Sequence, residues 1–163
     1  SNKFNWRSQR AWIVVSVNRS ITFTGPVGIE IQLDNLGITE AKKLDGFAAI
    51  KMVKKSEIPD LTEKGWKTHL DLNVLVTKFH KTIRIQAYKG KREEGPQPLL
   101  TTDIAKGMKD GSMSMLIYGT LNYVDAWQTS HWTKFCDSIG AYNPGPKNPC
   151  ADYTQTDDNE PTW

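Results

Sequence analysis

The side chains of this sequence best suited to proton transfer near neutral pH are its three histidines, His69, His80 and His131. None of them lies in a nucleophile or zinc-protease motif such as G-x-S-x-G or H-E-x-x-H. A hydrolytic or small-ligand site would need distant residues, such as His80, Asp125 and His131. Asp125 and His131 can equally pair across a hairpin turn and stabilise it. The sequence therefore predicts no catalytic residue and no cofactor.

Cys136 and Cys150 are the only cysteines, and they are candidates for a disulfide. The bond would close a loop of about 15 residues and contribute roughly 3 kcal/mol in the chain-entropy model. The alternative is two reduced thiols, with Cys136 packed at the end of a strand. The even count and the loop-rich, Trp-rich surroundings favour the bridge, which implies an oxidising compartment. A metal site made of His131 and both cysteines lacks a fourth ligand, so no metal is predicted.

These residues lie on or beside segments in which apolar side chains alternate. Between 113 and 136 two such runs are separated by a polar turn, and one face of the first carries Met113, Met115, Ile117, Leu121 and Tyr123. The pattern predicts a hairpin with one buried face. The same alternation between 27 and 34 places Val27, Ile29, Ile31 and Leu33 on one side, which predicts a strand with one face in water.

The rest of the chain supplies further short strands and the turns between them. Strands are predicted at Ala11–Val17, Leu44–Val53 and His80–Tyr88, with Ile21–Thr24 continuing the first or starting a partner; 34–37 is a turn, Leu70–Val76 is apolar without a clear period, and Lys54–Lys67 and Lys89–Pro98 are loops. A short helix is expected at Thr102–Lys109, capped by Thr101 or Thr102.

The predicted fold class is all-β, an immunoglobulin-like antiparallel β-sandwich with at most one or two short helices. A barrel is the main alternative. Residues 1–10 are assigned to a linker, with Ser1 and Asn2 as a possible cloning remnant. Residues 11–136 form the sandwich domain, and 137–163 form a loop-rich C-terminal extension.

Composition limits the functional classes. The six Trp, five Tyr and five Phe among 163 residues are typical of a folded chain, although the mean hydropathy is −0.52. The net charge is only +3, and no basic stripe with stacking aromatics or nucleic-acid module is present, so no nucleic-acid partner is predicted. No run of 18 apolar residues occurs, so no segment of this sequence is expected to span a membrane.

Several segments, taken in order, resemble a large group of uncharacterised bacterial proteins. They are Arg10-Ala11-Trp12, residues 33–41, Tyr118-Gly119-Thr120-Leu121-Asn122-Tyr123-Val124-Asp125, His131-Trp132-Thr133-Lys134-Phe135-Cys136 and the late Cys150. The resemblance implies one or two N-terminal transmembrane helices and a short helical linker, followed by a β-rich, immunoglobulin-like domain. Glu40 stands where that group usually has proline. The resemblance brings no catalytic residue with it.

The expected function is therefore a non-enzymatic interaction domain of a membrane-tethered bacterial protein. It would offer loops or an exposed strand edge to an unidentified protein partner. Its contact with the membrane would be an N-terminal anchor outside this chain, and the cysteine pair favours the periplasm or the exterior. The alternatives are a small-ligand binder or hydrolase with a site assembled from distant residues, and a purely structural spacer in an envelope assembly.

Overall fold

The computed structural model describes residues 10–21, 25–62, 65–89 and 95–157, without the side chain of Asp103. Nearly all of the predicted linker, the segment 22–24 and the last six residues of the predicted extension lie outside these ranges. In the described part the secondary structure consists of antiparallel strands and two short helices. The predicted all-β fold class is therefore confirmed.

Ten strands and two helices follow one another along the described chain. They are β1 (Ile13–Val17), β2 (Gly28–Asn35), β3 (Ala41–Lys54), β4 (Thr68–Leu75), β5 (His80–Gln86), β6 (Tyr88–Lys89), β7 (Gln97–Pro98), α1 (Thr101–Asp110), β8 (Met113–Val124), β9 (Ser130–Gly140), α2 (Pro149–Tyr153) and β10 (Gln155–Thr156). One sheet has the order β1-β2-β5, and the other has the order β10-β9-β8-β3-β4. Strands β6 and β7 pair with each other; Tyr88 belongs to the predicted strand His80–Tyr88, and the other three paired residues lie in what the sequence predicted as a loop.

The two larger sheets share one hydrophobic core. Ile29, Ile31 and Leu33 of β2 are fully buried, as their alternation predicts, and they belong to the same cluster as Ile117 and Leu121 of β8. Because every second side chain of a strand points to the same face, each sheet supplies one apolar face to this shared interior. The core thereby fixes which loops meet at each end of the sheets.

Strand β8 departs from the prediction because both of its faces are buried. Leu116 and Tyr118, on the face opposite Ile117, belong to a second apolar cluster with Cys150 and Tyr153 of the C-terminal segment. The segment after β9 therefore covers part of the outer face of the five-stranded sheet. The alternation of apolar residues in β8 predicts only one buried face, so the layer that the C-terminal segment forms on the other face was not predicted.

Helix α1 forms where it was expected, but the predicted threonine cap is wrong. Its N-cap residue is Leu100, which makes no side-chain capping hydrogen bond. The hydroxyl of Thr101 instead donates to the carbonyl of Gly25, 3.1 Å away. The threonine is buried, so a tertiary contact has replaced the local cap.

Candidate functional site

Two of the three residues considered for a catalytic site meet, and the third lies elsewhere. His131 Nε2 lies 2.7 Å from Asp125 Oδ2, and both side chains are 0% exposed. The other oxygen of Asp125 accepts hydrogen bonds from the backbone amides of Trp127 and Thr129, which closes the β8–β9 turn. His80 is exposed at the start of β5, in the opposite sheet. The three residues do not share a cleft.

Asp125 and His131 belong to a buried group of four ionisable side chains, which we term the charge cluster: Arg10, Asp125, His131 and Asp157. His131 Nδ1 lies 2.8 Å from Asp157 Oδ2, and Arg10 Nη1 donates to that oxygen over 3.4 Å. Arg10 Nη1 also lies 3.1 Å from His131 Nδ1, so the guanidinium contacts both members of the His131–Asp157 pair.

The charge cluster fastens distant parts of the chain to one another. Arg10 precedes β1, His131 lies in β9, and Asp157 follows β10. Asp157 also accepts the backbone amide of Trp132 at 2.9 Å, and its own amide donates to the Trp132 carbonyl at 3.2 Å. Because buried charges are retained only when they are paired and hydrogen-bonded, this arrangement holds the strands in place rather than exposing a reactive group.

Tyr123 of β8 packs beside the charge cluster, with its ring centroid 5.4 Å from that of His131. Burial raises the pKa of its hydroxyl above the ordinary value of 10.0. A shallow cavity of about 330 Å³ reaches this region, and its walls include Lys43, Asp45 and Asn122. His131 also belongs to its lining, but the side chains of both His131 and Asp125 are 0% exposed. The cavity therefore does not present the Asp125–His131 pair to a ligand.

The cysteine pair forms the predicted disulfide. Cys136 of β9 and Cys150 of α2 have their sulfur atoms 2.02 Å apart. The side chain of Asn148 caps α2 by accepting from the amides of Cys150 and Ala151. Since the disulfide uses both thiols, it removes the ligands that a site with His131 would need. Among the described residues, no group of three His, Cys, Asp or Glu side chains is arranged to hold a metal ion.

Strand β4 forms one edge of the five-stranded sheet, with no other described strand paired to its outer side. A groove of about 220 Å³ runs along this edge, lined by residues 71–75 and by Lys81 of β5. Val74 is 47% exposed, and Asp71 is also exposed. The pairing of β3 with β4 is irregular here, and Asn73 adopts a φ of 56°. We term this feature the β4 edge groove.

The second surface lies at the end of the sheets where β1 begins and where β2 and β4 end. Its centre is the buried side chain of Asn35, whose Nδ2 donates to the carbonyls of Thr39 (2.8 Å) and Leu75 (3.0 Å). Its Oδ1 accepts from the amides of Trp12 (3.1 Å) and Gly37 (3.0 Å). One side chain thereby binds the chain before β1, the β2–β3 loop and the end of β4 together.

The β2–β3 loop and the β4–β5 turn carry an unusual density of exposed apolar side chains. We term these four residues the apical patch; their exposed fractions are Leu36 68%, Ile38 61%, Val76 47% and Phe79 66%. Single exposed apolar residues are normal, whereas a contiguous group usually marks an interaction site. The sequence prediction of a turn at 34–37 is consistent with the end of β2 at Asn35, but it did not reveal this patch.

No protein-family model matches the sequence, and no curated protein matches it. A solved structure described as the X-ray structure of Northeast Structural Genomics Consortium target SoR45 is similar over 88% of this chain and 92% of that chain. It has 11% sequence identity and a TM-score of 0.37. Neither helix of the described chain has the length and apolar character needed to cross a bilayer.

Proposed function

We propose that this chain is a non-enzymatic interaction domain of a membrane-tethered protein, and that it binds an extended segment of a protein partner at the β4 edge groove. The observation that carries the proposal is the outer side of the eight-residue strand β4: no described strand pairs with it on the side away from β3. An unpaired edge presents a row of backbone N–H and C=O groups, to which an extended peptide can add as a further strand.

The side chains along the groove add selectivity to these backbone contacts. The exposed Val74 offers an apolar contact, while Asp71 and Lys81 place opposite charges on the walls. Alternate side chains of an added strand would point towards the groove, and the side chains between them would point away from it. We therefore expect the partner segment to carry an apolar residue near Val74 and a polar or charged residue two positions away.

An immunoglobulin-like topology is part of the proposal. In a constant-type immunoglobulin domain, strands A, B and E lie in one sheet and strands C, F and G in the other. Here β1, β2 and β5 correspond to A, B and E, and β3, β8 and β9 correspond to C, F and G. Strand β4 pairs with β3 instead of β5, which supports the variant in which the fourth strand extends the C-F-G sheet.

A location outside the cytoplasm is supported by the Cys136–Cys150 disulfide, because structural disulfides persist in oxidising compartments. Membrane tethering rests on the resemblance described above. We expect the complete protein to remain with the membrane fraction and its cysteines to resist alkylation unless they are first reduced. Recovery of the complete protein in the soluble fraction would contradict the tethering.

The β4 edge groove is tested by photo-crosslinking in cells that express the complete protein. A photoreactive amino acid at Asp71 is expected to give a discrete adduct with one protein, because its side chain lines the groove. The same amino acid at the exposed Lys109 of α1 is the positional control. Adducts of equal yield from both positions would mean that the β4 edge is not a specific binding site.

A charge introduced on the edge should block strand addition without unfolding the domain. We expect Val74→Lys to abolish the adduct formed from position 71. Ile58→Lys is the matched control, because Ile58 is also an exposed aliphatic residue (55%) but lies in the β3–β4 loop. Retention of the adduct in the Val74→Lys variant would contradict the proposed binding mode.

A further inference from the structure

We infer that the apical patch binds the surface of an anionic lipid bilayer and inserts its apolar side chains among the lipids. This inference goes beyond the proposed function, because it concerns a separate surface and would hold without the partner at β4. It rests on the rigidity of the two loops, on their apolar tips and on the charges that accompany them.

The loops of the apical patch are fixed to each other by hydrogen bonds. The hydroxyl of Thr77 donates to the carbonyl of Gly37, which joins the β4–β5 turn to the β2–β3 loop. The amide of Lys78 donates to the carbonyl of Asn35 at 3.1 Å, and the amide of Asn35 donates to the carbonyl of Phe79 at 3.4 Å. Because these bonds fix the backbone of the two loops to each other, the apolar side chains of the apical patch are held exposed by the fold.

Gly37 shows how closely the chain is packed behind the patch. A Cβ atom at this position would overlap the backbone of Arg10 and Ala11. The backbone between Leu36 and Ile38 thus lies directly against the chain leading into β1. Both neighbouring side chains are exposed, which is the arrangement expected for residues that meet an external apolar phase.

The charged residues near the apical patch favour a lipid bilayer, rather than an apolar groove of another protein, as its binding partner. The exposed Lys78 lies between Val76 and Phe79 in the sequence of the turn, so a cation accompanies the apolar tips. The acidic side chain of the β2–β3 loop, Glu40, is paired with Lys42 at 3.1 Å. Basic residues adjacent to apolar tips are attracted to anionic headgroups while the tips enter the acyl boundary.

The experiment is sedimentation of the chain with lipid vesicles. Vesicles of phosphatidylcholine and phosphatidylglycerol in equal parts should bind the chain, and vesicles of phosphatidylcholine alone should bind it more weakly. We expect Leu36→Ser combined with Phe79→Ser to lower the vesicle affinity about tenfold or more, because two large apolar side chains are lost from the inserted surface. Lys78→Glu should weaken binding to the anionic vesicles and leave binding to the neutral ones unchanged.

Ile58→Ser is the matched control, since it removes an exposed aliphatic side chain outside the patch and should leave vesicle binding unchanged. Val74→Lys should not weaken vesicle binding, which separates this inference from the proposed protein contact. Thermal unfolding of each variant checks that the fold is retained. The inference is overturned if the chain does not bind anionic vesicles, or if Ile58→Ser reduces binding as much as the double variant does. It is also overturned if the double variant instead abolishes self-association of the chain without lipid.

Discussion

Replacing Asn35 by alanine should destabilise the domain more than any exposed substitution, because this one side chain holds three segments together. All of its hydrogen-bonding positions are used, two as donors and two as acceptors. The residue is fully buried, so water cannot replace the lost contacts unless a cavity opens. The carbonyl of Leu75 and the amide of Gly37 would lose partners inside the protein.

The size of the effect follows from these contacts. A typical hydrogen bond contributes a net ~1 kcal/mol to stability, so four of them amount to about 4 kcal/mol. This is a large part of the roughly 5–15 kcal/mol that holds a typical domain folded. In a chain of this size, it corresponds to a fall in the melting temperature of about 8–16 °C.

Urea unfolding, followed by tryptophan fluorescence and by circular dichroism, measures this loss. Asn122→Ala is the matched control, because Asn122 is exposed on β8 and its side chain makes no hydrogen bond within the described part of the chain. We expect the control to change the free energy of unfolding by less than about 0.5 kcal/mol. If Asn35→Ala costs no more than this control, Asn35 is not the clamp that the geometry indicates.

Two further predictions concern the disulfide and the buried tyrosine. Replacing Cys136 and Cys150 with alanine should lower the free energy of unfolding by about 3 kcal/mol and raise hydrogen exchange in residues 141–157, but not in β2. Equal exchange in both regions would mean that the bridge does not hold the outer layer. Burial raises the pKa of the Tyr123 hydroxyl in the folded state. The contribution of this residue to the free energy of unfolding is therefore intact below pH 10.0 and is lost as the pH rises through the folded-state pKa. Tyr123→Phe should therefore lose less stability than wild type when urea unfolding is repeated above pH 10.0, and an identical loss in both proteins would refute the assignment.

Local patterns predicted the strands well where one face is buried and the turn chemistry is clear. The alternation of Ile29, Ile31 and Leu33 and the turn after Asp34 agree with the observed β2. Prediction was poorer where the pattern is mixed. Residues 70–76 lack a clear period because β4 lies at a sheet edge, where Val74 is exposed and Asn73 departs from extended backbone. The predicted helix cap at Thr101 was wrong because the Thr101 hydroxyl donates to the carbonyl of Gly25 instead.

The sequence predicted the fold better than it predicted the two candidate surfaces. Exposed strand edges and loops were expected in general, but the sequence did not single out β4, Leu36 or Phe79. Apolar residues in a turn-rich segment are a weak sign of an exposed patch, because most such residues fold back onto the core. Asp125 and His131 were correctly considered as a pair across a turn, whereas Arg10 and Asp157 were not connected to them.

The sequence by itself determined the all-β class and the strand alternation, and it favoured a bridge between its only two cysteines. These features follow from periodicity within a strand or from a choice between very few partners. Only the tertiary structure decided that Arg10 and Asp157, separated by 147 positions, share a buried charge cluster, and that the C-terminal segment covers Leu116 and Tyr118. The physical reason is that such contacts depend on how the sheets stack and where the loops return, which no local pattern encodes.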